Sequence, residues 1–158
     1  MRISRTLAAA AALTFGLVSA NAALAGDLSA RTKQNLEKAM HGEAYANLKY
    51  RTYAEMARDN GHPELAKVFE QSANVEANEH FAREADALKL AKSNDANLLD
   101  AMSGEHYEYT KMYKSFAAQA RKDGDASVAR LFEQIAADEN DHYEAYKAML
   151  KQLQAKQK

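Results

Sequence analysis

The 158-residue chain has no cysteine and a single proline. Without cysteine there is no disulfide, no thiolate catalysis, no cysteine-held iron–sulfur cluster and no four-cysteine iron or zinc knuckle. One proline and six glycines leave few breakers. In a chain rich in Ala, Leu, Glu and Lys, that scarcity favours long helices and gives no sign of a disordered polypeptide. Basic charge is not in excess either: 21 Lys and Arg stand against 22 Asp and Glu. Nucleic acid is therefore a poor candidate for a partner. The length suits one domain with a real core.

The first residues, MRISRTLAAAAALTFGLVSANAALAG, place Arg2 and Arg5 before an apolar run and then small residues in A-x-A spacing. This is the pattern of a secretory signal peptide, cut after Ala22 or Ala25. The apolar run is short for a membrane span. The expected organisation is a leader over 1–25 and one domain over 26–158. Loss of the leader leaves 19 basic residues against 22 acidic ones. The mature protein is expected to be periplasmic or secreted, with no membrane association after cleavage.

Breakers divide the remainder into four helices. RDNGHPEL over 58–65 stops one helix at Gly61 and starts the next at Pro63. KSNDAN over 92–97 is a turn or N-cap cluster, and KDGDAS over 122–127 stops a helix at Gly124 with Asp125 placed to cap its successor. Helices are predicted over about 28–60, 63–92, 96–122 and 126–154. Each carries an apolar stripe of helical period, and acids interrupt every stripe. Glu43 follows Leu36 and Met40; Glu76 and Glu79 follow Phe69; Glu105 and Glu108 follow Met102; Glu139 and His142 follow Phe132 and Ile135.

The chain also repeats itself. GEAYANLKY at 42–50 echoes GEHYEYTKMY at 104–113, and FEQSANVEANEH at 69–80 echoes FEQIAADENDH at 132–142. A helical hairpin occurs twice, and two such hairpins make a four-helix bundle. A lone buried glutamate is costly unless it is paired or coordinated. Here Glu43, Glu76, Glu105 and Glu139 fall on four core stripes, with no lysine or arginine among the stripe positions. Like charges converging in one core require a bound cation. Glutamates from two helices plus Glu-x-x-His from the others form the di-iron or di-manganese carboxylate arrangement.

GEAYANLKYRTYAE, GEHYEYTKMYKSFA and ARLFEQIAADENDH together resemble the rubrerythrin family of the ferritin-like superfamily, over roughly residues 31–150. The resemblance implies an all-α, ferritin-like four-helix bundle holding two iron ions bridged by oxo or carboxylate groups; manganese or a mixed pair suits the same ligands. It implies Glu43, Glu76, Glu105, Glu108, Glu139 and His142 as metal ligands, with Glu76 and Glu139 bridging. It implies that Tyr50 and Tyr113 hydrogen-bond the ligand carboxylates. The sequence departs from the family at EANEH, where Glu79 occupies the position of the usual histidine and His80 follows. An ungapped register favours Glu79 as the ligand; a small helix distortion such as a π-bulge brings in His80 instead. With Glu79, six carboxylates and one neutral imidazole exceed two Fe(II) ions by two negative charges, which favours the oxidised pair. Symerythrin, a carboxylate-rich relative without rubredoxin, is then the closer comparison.

The family's activity is reduction of hydrogen peroxide to water, with Glu108 or Glu79 carrying protons. No cysteine is present to build a rubredoxin relay, so an external electron donor is expected, of unknown identity. A ferroxidase or iron-storage role and a non-enzymatic metal-binding bundle are the alternatives. The link between the second and third helices is too short to travel back along a ferritin-like bundle. The hairpins are therefore expected either to run up-down-up-down or to pair with those of a second chain in a domain-swapped homodimer.

Overall fold

The computed structural model describes residues 28–156, so the expected leader lies outside the described residues. Helix α1 spans Ala30–Asp59. A second rod follows, made of α2 (Pro63–Val75), a π-helical segment (Glu76–Phe81) and α3 (Ala82–Leu88). The third rod is α4 (Asn94–Tyr107), a second π segment (Glu108–Met112) and α5 (Tyr113–Asp123). Helix α6 (Ala126–Ala155) is the fourth rod. Among the described residues there is no strand, and no helix is long and apolar enough to cross a membrane.

The ends of the rods follow local chemistry. Ser29 caps α1 by accepting from Thr32 N–H at 3.2 Å, and Ser93 caps α4 by accepting from Ala96 N–H at 3.3 Å. Pro63 opens α2, where its missing N–H costs nothing. Gly124 closes α5 at φ +89°, with Asp125 N–H reaching back to the Ala120 carbonyl at 2.8 Å. Asp125 makes no side-chain cap to α6. The second rod ends four residues earlier than predicted, because Lys89 turns left-handed at φ 53° and Leu90 N–H returns to the Ala85 carbonyl.

Two hairpins result. Helix α1 packs on α2, the first π segment and α3; α6 packs on α4, the second π segment and α5. Among the described residues, no helix of one hairpin approaches a helix of the other within 8 Å between Cα atoms. The seam of each hairpin is alanine: Ala54, Ala57 and Ala66 in the first, Ala117, Ala120 and Ala129 in the second, all buried. Small side chains let two helices approach closely, but they leave the larger apolar residues without a covering layer. Phe69, Phe132 and Ile135 are half-buried, while Leu65, Phe116, Leu131 and Met149 are exposed. Among the described residues no large side chain is fully buried.

The same clasp closes both hairpins. Arg58 pairs with Glu70, and Arg121 pairs with Glu133 at 2.5 Å. These pairs, the alanines and the Tyr50/Tyr113 positions all recur at a spacing of 63 residues, whereas Glu43 and Glu105 are 62 apart. Along the repeat the spacing changes twice, from 62 to 63 before Tyr50 and back to 62 at His80 and His142, and at each change one copy carries a π segment. A π turn absorbs one extra residue and returns the helix to phase. Tyr50 stacks on Phe69 at 6.2 Å, and Tyr113 reaches the matching Phe132 at 6.1 Å, although one more residue separates it from its glutamate.

Candidate metal centre

Each hairpin gathers two carboxylates and one imidazole. In the first these are Glu43, Glu76 and His80; in the second, Glu105, Glu139 and His142. Within each trio the donor atoms all lie within 4.8 Å of one another. His80 Nδ1 is 2.8 Å from Glu76 Oε2 and 3.7 Å from Glu43 Oε2. His142 Nδ1 is 2.8 Å from Glu139 Oε2 and 3.9 Å from Glu105 Oε2. The carboxylates face the seam, with 15–26% of their side chains exposed, while the imidazoles stand more open at 47% and 57%.

Glu79 and His80 are placed contrary to the ungapped reading. A continuous α-helix would carry position 79 to the place above Glu76. The π segment Glu76–Phe81 inserts one residue into that turn, so His80 arrives there instead. Glu79 is turned to the exposed face, where Arg83 Nη2 donates to its Oε2 at 3.2 Å. Helix α6 has no such segment, and His142 reaches the same relation to Glu139 three residues on. The two trios match only because the π turn compensates for the spacing.

The electrostatics of the trios suit a cation. Glu43 is raised above its ordinary 4.5 chiefly by hydrogen bonding to the Glu76 carboxyl, then by burial and the Glu76 charge. Glu105 is raised first by burial, then by its hydrogen bond with Glu139. Among the described residues no lysine or arginine pairs with any of the four; only the imidazoles do. Oxygen and imidazole donors crowded together without a fixed positive charge suit a divalent transition ion.

Glu108 heads the second π segment, outside the trio but near it: burial raises its pKa, and the Glu139 charge adds to the effect. Tyr113 is raised above 10.0 by burial and then by the charges of Glu108, Glu139 and Glu105, which puts its phenol at the edge of the acid cluster. Tyr50 is half-buried against Phe69 and Tyr53. Neither Tyr50 nor Tyr113 hydrogen-bonds a carboxylate among the described residues. Two residues escaped the sequence reading. Asn47, one turn beyond Glu43, is buried and donates from Nδ2 to the Ala73 carbonyl at 2.6 Å. Glu84, one turn beyond His80, has a buried carboxylate oxygen without a partner and adds to the rise in Glu43. The i, i+4, i+8 run Glu76, His80, Glu84 was the available signal for Glu84.

Known proteins match this chain over nearly all its helical part. The family described as Rubrerythrin matches residues 34–150. Rubrerythrin of Nitratidesulfovibrio vulgaris is 34% identical over 125 residues, covering 71% of this chain and 65% of that protein. Rubrerythrin of Porphyromonas gingivalis is 33% identical over 133 residues, covering 76% and 66%. The chain thus spans about two thirds of the length of these curated relatives. A solved structure of nigerythrin in its fully reduced, all-ferrous state is 27% identical with a TM-score of 0.41, covering 98% of this chain and 82% of that one. On the match over residues 34–150 and on these identities, the chain belongs to the rubrerythrin family.

Proposed function

We propose that the protein is a non-haem di-iron peroxidase that reduces hydrogen peroxide to water, acting as a domain-swapped homodimer in which the first hairpin of each chain faces the second hairpin of its partner. The observation that carries the reading is the pair of Glu, Glu, His trios, one on each of two hairpins that do not pack together within the chain. Each trio is half of a dinuclear donor set, and a second copy supplies the other half. The exposure of the large apolar side chains Leu65, Phe116, Leu131 and Met149 supports the same pairing.

With Glu108, the two trios offer five carboxylates and two imidazoles, Glu76 and Glu139 being suited to bridging. That set exceeds two Fe(II) ions by one negative charge, one fewer than a site built with Glu79. It holds the oxidised pair less strongly. Iron held by these residues would supply the two electrons that hydrogen peroxide takes up, with two protons, to become two waters. Glu108 holds a proton more readily than an ordinary glutamate and lies beside Glu139, which suits it to proton delivery. Tyr113 closes the same side of the cluster. The electrons come from an external donor. Residues 1–25 are an export signal in this reading; the first residue of protein recovered from the periplasm tests it.

The test is anaerobic loading with Fe(II) followed by one equivalent of hydrogen peroxide. About two iron ions per chain are expected, oxidised fast by peroxide and slowly by dioxygen. Oxidation faster with dioxygen, in a particle much larger than a dimer, favours a ferroxidase. A folded protein that takes up neither iron nor manganese refutes the reading, and metal analysis of the protein as isolated names the ion.

A further inference from the structure

Of the two π segments, the one at Glu76–Phe81 decides which side chain stands over Glu76, and something must fix it there rather than a turn earlier or later. We propose that Asn47 is the positioning residue that holds this π segment in place and thereby delivers His80, rather than Glu79, to Glu43 and Glu76.

Two observations carry the assignment. Asn47 is the one buried polar residue among those described, and its only side-chain hydrogen bond is the 2.6 Å donation to the Ala73 carbonyl. In an unbroken α-helix that carbonyl accepts from the N–H of position 77. A second donor there competes with the ladder two residues before α2 gives way to the π segment, and a side chain inserted into the i→i−4 ladder is a recognised cause of such a break. The second π segment has no such donor from across its seam: there the Thr110 hydroxyl donates to the His106 carbonyl of its own helix, a local bond that Thr52 also makes to the Leu48 carbonyl in unbroken α1.

The internal repeat supplies the control. Counted from Glu105 the residue matching Asn47 is Tyr109; counted back from Tyr113 it is Thr110. Neither gives a side-chain hydrogen bond to α6, and α6 runs as unbroken α-helix through Glu139 and His142. Asn47 crosses the seam to a rod that is bulged beside it; at the matching place in the second hairpin no side chain crosses to α6, and α6 is regular.

Asn47 acts through His80, so the test separates positioning from packing. The variants are Asn47→Ala, Asn47→Leu, deletion of Asn78, and each substitution combined with that deletion. Removing Asn78 takes out the extra residue and leaves Glu76-Ala77-Glu79-His80, the same E-x-x-H spacing as Glu139 and His142, which needs no bulge. The first readout is on metal-free protein: backbone amide exchange over 74–84 and a crystal structure of each variant. We expect Asn47→Ala and Asn47→Leu to convert 76–81 to α-helix and move the His80 imidazole away from Glu76. The second readout is Co(II) titration, which rests on the proposed metal site. The substitutions should weaken binding about 10–100-fold in the parent and leave it unchanged in the deletion background. A substitution that retains the π segment and the His80–Glu76 contact overturns the proposal, as does an equal loss of Co(II) affinity in both backgrounds. If the parent binds no metal, the functional reading fails, and the amide exchange and crystal structures still decide the role of Asn47.

Discussion

If a centre needs one trio from each of two chains, two differently damaged chains should repair one another. In one variant Glu43 and Glu76 become glutamine; in the other, Glu105 and Glu139 do. Glutamine keeps the size of the side chain but removes the charge that attracts a cation. As a homodimer, either variant has only centres with one damaged half. In a heterodimer, one centre combines both damaged hairpins and the other combines both intact ones. Random pairing makes about half the dimers mixed, so about one quarter of all centres should be whole. Co-expression with two affinity tags isolates the mixed dimer, in which half the centres are intact. The assay is iron per chain after anaerobic loading, with the rapid peroxide-dependent absorbance change as a second signal. The pure mixed dimer should recover about half of the parental value, against a background set by the two homodimers. A verified mixed dimer that recovers nothing above this background refutes the shared centre, because a centre built within one chain is damaged in every copy.

Other outcomes follow from individual side chains. His80→Ala should lower metal affinity about 10–100-fold, whereas Glu79→Gln should leave it unchanged, since Glu79 faces Arg83; isothermal titration compares them. Glu43, Glu105 and Glu108 bind protons more tightly folded than at their ordinary 4.5. The folded metal-free protein therefore holds more protons than the unfolded chain between 4.5 and the raised values. Their unfavourable contribution is full at neutral pH and disappears below the unfolded value, so urea midpoints of metal-free protein should fall less on acidification than those of Glu105→Gln. Metal loading should reverse the trend, because protons then compete with the ion. Ala129→Leu forces a larger side chain into a fully buried position at the seam and should cost about 1–3 kcal/mol in thermal unfolding. Gly124→Ala places a Cβ at φ +89° and should cost about 1–2 kcal/mol by the same measurement.

Much of the architecture was written along the chain. Gly61, Pro63, Ser93 and Gly124 punctuate it through local backbone chemistry, and three of the four rods begin and end within about two residues of the predicted limits. The exception, the second rod, ends early because Lys89 adopts a left-handed conformation that no glycine announces. The carboxylates Glu43, Glu76, Glu105 and Glu139 were legible because a duplicated hairpin puts an acid on every apolar stripe, a pattern that suits a bound cation.

The imidazole of the first trio was not settled by periodicity, because 79 and 80 are neighbours and a stripe averaged over several turns does not resolve one residue of slip. The slip was nonetheless recorded in the sequence, as the change in the spacing of the repeat from 63 between Glu76 and Glu139 to 62 between His80 and His142. Composition, breakers and stripes thus determined four helices, two hairpins and the acids they carry, all of which depend on contacts close along the chain. Only the tertiary structure decided that His80 stands over Glu76 and that the two hairpins remain apart. The first depends on a hydrogen bond across the seam from Asn47, and the second on a span between rods that no local preference encodes.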